Sequence, residues 1–253
     1  MSDAVSDGVG DAVTVTGDDP WAVLRSATRA RVALGRAGDA LPTHRELEFR
    51  AAHAAARDAV HSPLDVDALR AALGGEVLTV ASAAPDRATY LQRPDLGRVL
   101  AEGTVLPRTE AALAVVLADG HSPRAVAEHG PGLVAALRER LGGWSLGPLV
   151  VATQARVALG DAVGGALGAR AVVVLVGERP GLSSADSLGV YLTWDPRPGR
   201  ADSERNCVSN VRPPHGLSYA QAADTVAALL SAARELGASG VALKDEGPAL
   251  TAG

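Results

Sequence analysis

The spacing of apolar residues changes once along this chain, near residue 76. Before it, apolar positions recur at helical intervals. Asp19-Pro20 opens a first predicted helix, with Asp able to accept from free N–H groups and Pro suited to the first turn. Trp21, Leu24, Ala27 and Leu34 carry this helix to Gly35 or Gly38. Thr43 and Glu46 stand at capping-box spacing and open a second, with Leu47, Phe49, Ala54 and Val60 on its apolar face and Pro63 ending it. Asp65 opens a short third helix that ends at Leu73.

After residue 76 short apolar runs alternate with helical stretches. Residues 77–80, 113–117, 149–151, 171–176 and 188–193 read as strands. Residues 95–102, 123–141, 154–167 and 218–236 read as helices, the second interrupted near Pro131. Strands that are continuous apolar runs are covered on both faces. The alternation predicts an α/β fold with a Rossmann-like, mostly parallel sheet and flanking helices, preceded by a helical N-terminal region. The expected division is a flexible tail over 1–17, a helical region over 18–73, an α/β domain over 74–245 and a second tail over 246–253. One echo stands out: TRARVALG at 28–35 returns as TQARVALG at 153–160.

Composition narrows the classes. The chain has 253 residues and a net charge of −5, which argues against a broad basic face for nucleic acid. No run approaches the roughly 18 apolar residues of a membrane span. The N-terminus lacks the basic residues and apolar core of a secretory signal. One cysteine, Cys207, excludes an internal disulfide framework. A cytoplasmic protein is the expectation.

The chemistry concentrates in two strings. Gly177-Glu178-Arg179-Pro180-Gly181-Leu182-Ser183-Ser184-Ala185-Asp186-Ser187 follows the 171–176 strand directly. Loops at the C-terminal ends of strands are where open α/β sheets bind ligands. The string lacks the dinucleotide and P-loop glycine patterns, and it ends on Ala where a serine nucleophile elbow needs Gly. Arg205-Asn206-Cys207-Val208-Ser209-Asn210 is the second. A lone thiol is either a nucleophile with a positioned base or inert packing, and the residues alone leave both open. The six histidines are scattered, without zinc-site spacing. Asp119-Gly120-His121 begins a cobalt-ligating Asp-x-His-x-x-Gly pattern, but Arg124 stands where it requires Gly. A stand-alone nucleotide-binding enzyme and a non-catalytic partner-binding α/β protein both remain compatible with this reading.

Several strings in order carry a resemblance: Ala33-Leu34-Gly35-Arg36-Ala37-Gly38, Arg57-Asp58-Ala59-Val60, Arg93-Pro94-Asp95-Leu96-Gly97-Arg98, the Gly-Glu-Arg-Pro-Gly-Leu-Ser run, the Arg-Asn-Cys-Val-Ser-Asn run and Ala238-Ser239-Gly240-Val241. Together, over about residues 18–245, they resemble the small (light) subunit of ethanolamine ammonia-lyase. The resemblance implies a subunit of a carbon–nitrogen lyase that converts ethanolamine to acetaldehyde and ammonia by adenosylcobalamin radical chemistry. It implies base-on cobalamin, with no protein histidine on cobalt and no metal ligand in this chain. It further implies a hetro-oligomer with a TIM-barrel large subunit that supplies the catalytic residues, in the cytoplasm or within a bacterial microcompartment. The family's cobalamin-contact positions fall on Val157, Glu178 and Cys207.

Overall fold

The computed structural model describes residues 19–109 and 111–243, so the expected tails lie outside the described residues. The chain divides into two compact units, one up to Arg50 and one from Ala51.

In the first unit the helix α1 spans Ala22–Ala27, and α2 starts at Thr43. The helix expected to reach Gly35 or Gly38 stops at Ala27. Nothing in α1 is buried, so no packed apolar face sustains it, and so short a helix is marginal without one. Helix α2, Thr43–His61, runs on into the second unit.

The second unit is built on six strands: β1 Val77–Ala81, β2 Leu113–Ala118, β3 Leu146–Thr153, β4 Ala171–Gly177, β5 Leu188–Trp194 and β6 Arg205–Val211. Their order across the sheet is β1-β3-β2-β4-β5-β6. The helices are α3 Val66–Leu73, α4 Arg87–Gln92, α5 Pro123–Arg140, α6 Val157–Leu167 and α7 Tyr219–Leu236. Every residue of β2 and β4 is buried, as the unbroken apolar runs require. Side chains alternate between two cores. Leu113, Val115, Leu117, Val173 and Leu175 face α3, α5 and α7. Ala114, Val116, Val172, Val174 and Val176 face α6.

The sheet is mixed, and this corrects the mostly parallel expectation. The pairs β1–β3, β3–β2 and β2–β4 are parallel, whereas β4–β5 and β5–β6 are antiparallel. Ten residues without an α-helix separate β4 from β5, and ten more separate β5 from β6. A parallel return needs a crossover of about a dozen residues or more, usually a helix, so these strands reverse direction instead. Strand β6 itself was not expected, because only Val208 and Val211 of its polar string enter the core. The helix expected at 95–102 is replaced by α4 and a single 3-10 turn, Leu96–Arg98. Helix α5 continues through Pro131, where Gly130 and Gly132 let Leu117 and Tyr219 pack close on either side of the ring.

Helix starts are set by side-chain caps. Asp65, Asp86, Ser122 and Ser218 accept backbone N–H bonds at the starts of α3, α4, α5 and α7. Helix α6 has no such cap. It is fixed instead by contact with the sheet, since a Cβ on Gly160 would lie 2.2 Å from Val174 Cγ2. Gly160→Ala therefore overpacks this contact. We expect it to cost about 1–3 kcal/mol and to lower the Tm by roughly 2–4 °C per kcal/mol. Gly142→Ala, where an added Cβ meets nothing within 4 Å, is the control that leaves thermal unfolding unchanged.

Candidate functional site

Strand β2 sends its chain back to β3, while β4 sends its chain on to β5. The connections diverge between these neighbours, which is where open α/β sheets leave a crevice. A cavity of about 630 Å³ lies there. It is lined from the ends of β2, β3 and β4 and from the side chains of β5 and β6.

Three turns build it. After β2, Asp119 is buried and its carboxylate accepts from Gln154 N at 2.8 Å and Ala155 N at 2.9 Å. That fixes the turn from β3 into α6. Gly120, at φ +54°, lies so close to the end of β4 that a Cβ would sit 2.3 Å from Gly177 O. His121 N then donates to Gly177 O at 2.9 Å. Asp119 also pairs with Arg87 of α4 at 3.3 Å.

A stacked cationic wall follows. Tyr90 is fully buried, and its hydroxyl donates to Ala155 O at 3.2 Å. Arg87 lies 4.9 Å and Arg156 4.6 Å from the Tyr90 ring centroid. Arg156 NH1 donates to His121 Nε2 at 3.0 Å, which leaves the imidazole proton on Nδ1. Burial and the charges of Arg156, Arg179 and Arg87 hold the His121 pKa down to about 4.

Opposite stand the expected residues. The structure brings Val157, Glu178 and Cys207 together at this one cavity. Val157 is the first residue of α6. Glu178 lies over Gly189 of β5, accepts from Ser187 Oγ at 2.5 Å and from Asn210 N at 3.3 Å, and so is held between β4 and β6. Cys207 is exposed and lies beside Tyr191 in the β5–β6 register. Partial burial pushes its thiol pKa up, so it stays protonated at neutral pH. Of the serines in the 177–187 string, Ser187 is turned to Glu178, and the string closes on itself through Gly181 and Ser184. Arg212 ties it down by pairing with Asp186 and donating to Ser183 O at 3.3 Å.

The cavity is also lined by Tyr90, Arg98, His121, Arg156 and Arg179, none of which the sequence assigned to the site. Most of them follow directly on strand ends, so reading all the strand C-termini together would have found them. Away from the cavity, Glu128, His129 and Asp186 bring three ligand atoms within 4.8 Å, but His129 Nδ1 is bonded to Tyr219 OH at 2.9 Å and Asp186 is paired with Arg212.

The electrostatics give a test. A histidine with a folded pKa near 4 is neutral when folded, while its unfolded form protonates near 6.5. The unfolded state therefore binds more protons in that window, and stability falls as pH falls from 6.5 toward 4. We expect the His121 imidazole resonances to stay flat above about pH 5, and Arg156→Gln to move the titration upward. Titration near 6.5 in the unaltered protein would contradict the cationic wall.

Comparison with known proteins agrees over nearly the whole chain. Residues 18–244 match the family model described as ethanolamine ammonia-lyase light chain. The chain is 53% identical to an ethanolamine ammonia-lyase small subunit of Rhodococcus erythropolis, with 90% of each chain covered. It is 52% identical to that of Ralstonia nicotianae, covering 95% of this chain and 94% of the relative. With that of Azotobacter vinelandii it shares 52% identity over 90% and 89%. Among the described residues no helix is long and apolar enough to cross a membrane. Over residues 18–244, from ahead of its first helix to beyond its last, this chain belongs to the ethanolamine ammonia-lyase light-chain family, the small subunits of that lyase.

Proposed function

We propose that this chain holds adenosylcobalamin against a large subunit, and that the pair converts ethanolamine to acetaldehyde and ammonia. The observation that carries this reading is the meeting of Val157, Glu178 and Cys207, from three separate segments, at one cavity. The residues present suit the group. A corrin bears a rim of neutral amides, and Glu178 keeps lone pairs free to accept from an amide N–H beyond its bonds to Ser187 and Asn210. Val157 and the protonated Cys207 offer apolar contact. A cobalamin exceeds the cavity in size, so one part of it sits here and the rest faces the partner. The bound cofactor supplies the radical chemistry. This chain's residues bind, orient and exclude water, and none of them transfers a proton in the reaction.

The partner surface includes the helical residues of 18–73. Trp21, Leu24, Leu41, Leu47 and Phe49 are exposed there, a concentration of large apolar side chains suited to burial against another chain.

Acetaldehyde release from ethanolamine and adenosylcobalamin is the first test. We expect activity from the co-purified pair and from neither subunit alone. A folded pair that binds cobalamin yet leaves ethanolamine untouched would overturn the reaction. Absence of a corrinoid spectrum in the pair would overturn the cofactor. Glu178→Ala removes a charged acceptor, and we expect the adenosylcobalamin concentration for half-maximal activity to rise roughly ten- to a hundredfold, with little change for ethanolamine.

A further inference from the structure

Val157, Glu178 and Cys207 leave the cationic part of the cavity unexplained. Arg98, Arg156 and Arg179 all line it, and among the described residues none of the three meets a carboxylate. Among the described residues the Arg156 guanidinium bonds only to His121 and stacks on Tyr90, and its Nε is buried without an acceptor. The side chains of Arg98 and Arg179 are exposed and make no hydrogen bond among the described residues. The carboxylates of the cavity are already engaged. Glu178 is held by Ser187 and Asn210, and Asp202 pairs with Arg205 at 2.6 Å. The start of α6 adds to the positive side. The N–H groups of Val157 and Ala158, which line the same cavity, meet no acceptor among the described residues.

Three guanidiniums gathered without counterions repel one another, and the uncapped positive end of a helix adds to the cost. The arrangement becomes favourable when an anion with several acceptor oxygens enters, because guanidinium forks and helix N–H groups both match phosphate. We propose that Arg156 and Arg179, with Arg98 at the mouth and the α6 N–H groups, form a phosphate site. Resting on the reading of this cavity as a cobalamin site, the anion is the phosphodiester that joins the corrin to its nucleotide base. It is the one anionic group of cobalamin.

The test compares two corrinoids that differ only in a phosphate, cobinamide and cobinamide phosphate, whose terminal monoester stands in for the diester. Their binding to the complex with the large subunit is followed by visible absorbance, without turnover. We expect the phosphate-bearing corrinoid to bind at least roughly tenfold more tightly, and added salt to erode that preference. Arg179→Gln, at an exposed side chain with no partner to lose, reduces the preference and leaves cobinamide affinity unchanged. Arg156→Gln abolishes the preference, and a matching far-UV circular dichroism spectrum checks that it folds. Equal affinity for the two corrinoids, or a preference untouched by Arg179→Gln and Arg156→Gln, overturns the phosphate site while leaving the cobalamin reading intact. Binding of neither corrinoid overturns the cobalamin reading instead. Inorganic phosphate then decides the anion site: a saturable shift of the His121 resonances, absent in Arg179→Gln, sustains it, and no shift overturns it.

Discussion

The candidate site depends on one backbone crossing. Where β2 and β4 end side by side, Gly120 and Gly177 pass so closely that a Cβ on either would collide with the other turn. On Gly177 it would fall 2.1 Å from Ser122 O. The crossing places His121 and Glu178 on opposite sides of one opening. The neighbouring Asp119 draws in the turn that begins α6 through two backbone bonds. Three consecutive residues thus couple three strand ends. The cavity follows from the sheet's own geometry and not from a loop folded over it.

Electrostatics in this opening favour holding a ligand over attacking one. His121 is neutral because it is partly buried and has cations around it, and Cys207 keeps its proton because its surroundings are partly dry. The tyrosines follow the same rule, with Tyr90 and Tyr191 both pushed up to about 12 by burial. The Cys207 thiol and the Tyr90 and Tyr191 hydroxyls are all moved away from neutrality, the opposite of what a general acid or base needs. The charged side chains of the lining are guanidiniums and the two carboxylates of Glu178 and Asp202, each already held by neighbours within the chain.

Much of the fold was legible in the sequence. The Val and Leu runs of β2 and β4 announce buried strands, and Ser218 with Gln221 forms the capping box that starts α7. The misses share a physical cause. The octapeptide TRARVALG at 28–35 lies outside any helix, while TQARVALG at 153–160 turns from β3 into α6. Only the second copy finds Asp119 to hold its N–H groups and Val174 to pack on, so tertiary contact decides what propensity leaves open. Strand β6 escaped notice for the converse reason. It is an edge strand with most of its side chains turned away from the core. In the candidate site, Glu178 and Cys207 stood out through the strings around them. Arg156 and His121 gain meaning only once two turns 35 residues apart meet.

The reversal of β5 and β6 has a consequence for shape. A parallel sheet would have carried another crossover helix past β4 on the α6 side. The two antiparallel strands need none, and their other side is covered by α7. Tyr191 and Cys207 thus extend the floor of the opening sideways beyond α6 as a shallow shelf. A narrow slot between helices accepts a thread-like molecule end-on. An opening bounded by a helix start on one side alone leaves room for a broad molecule laid flat across β5 and β6.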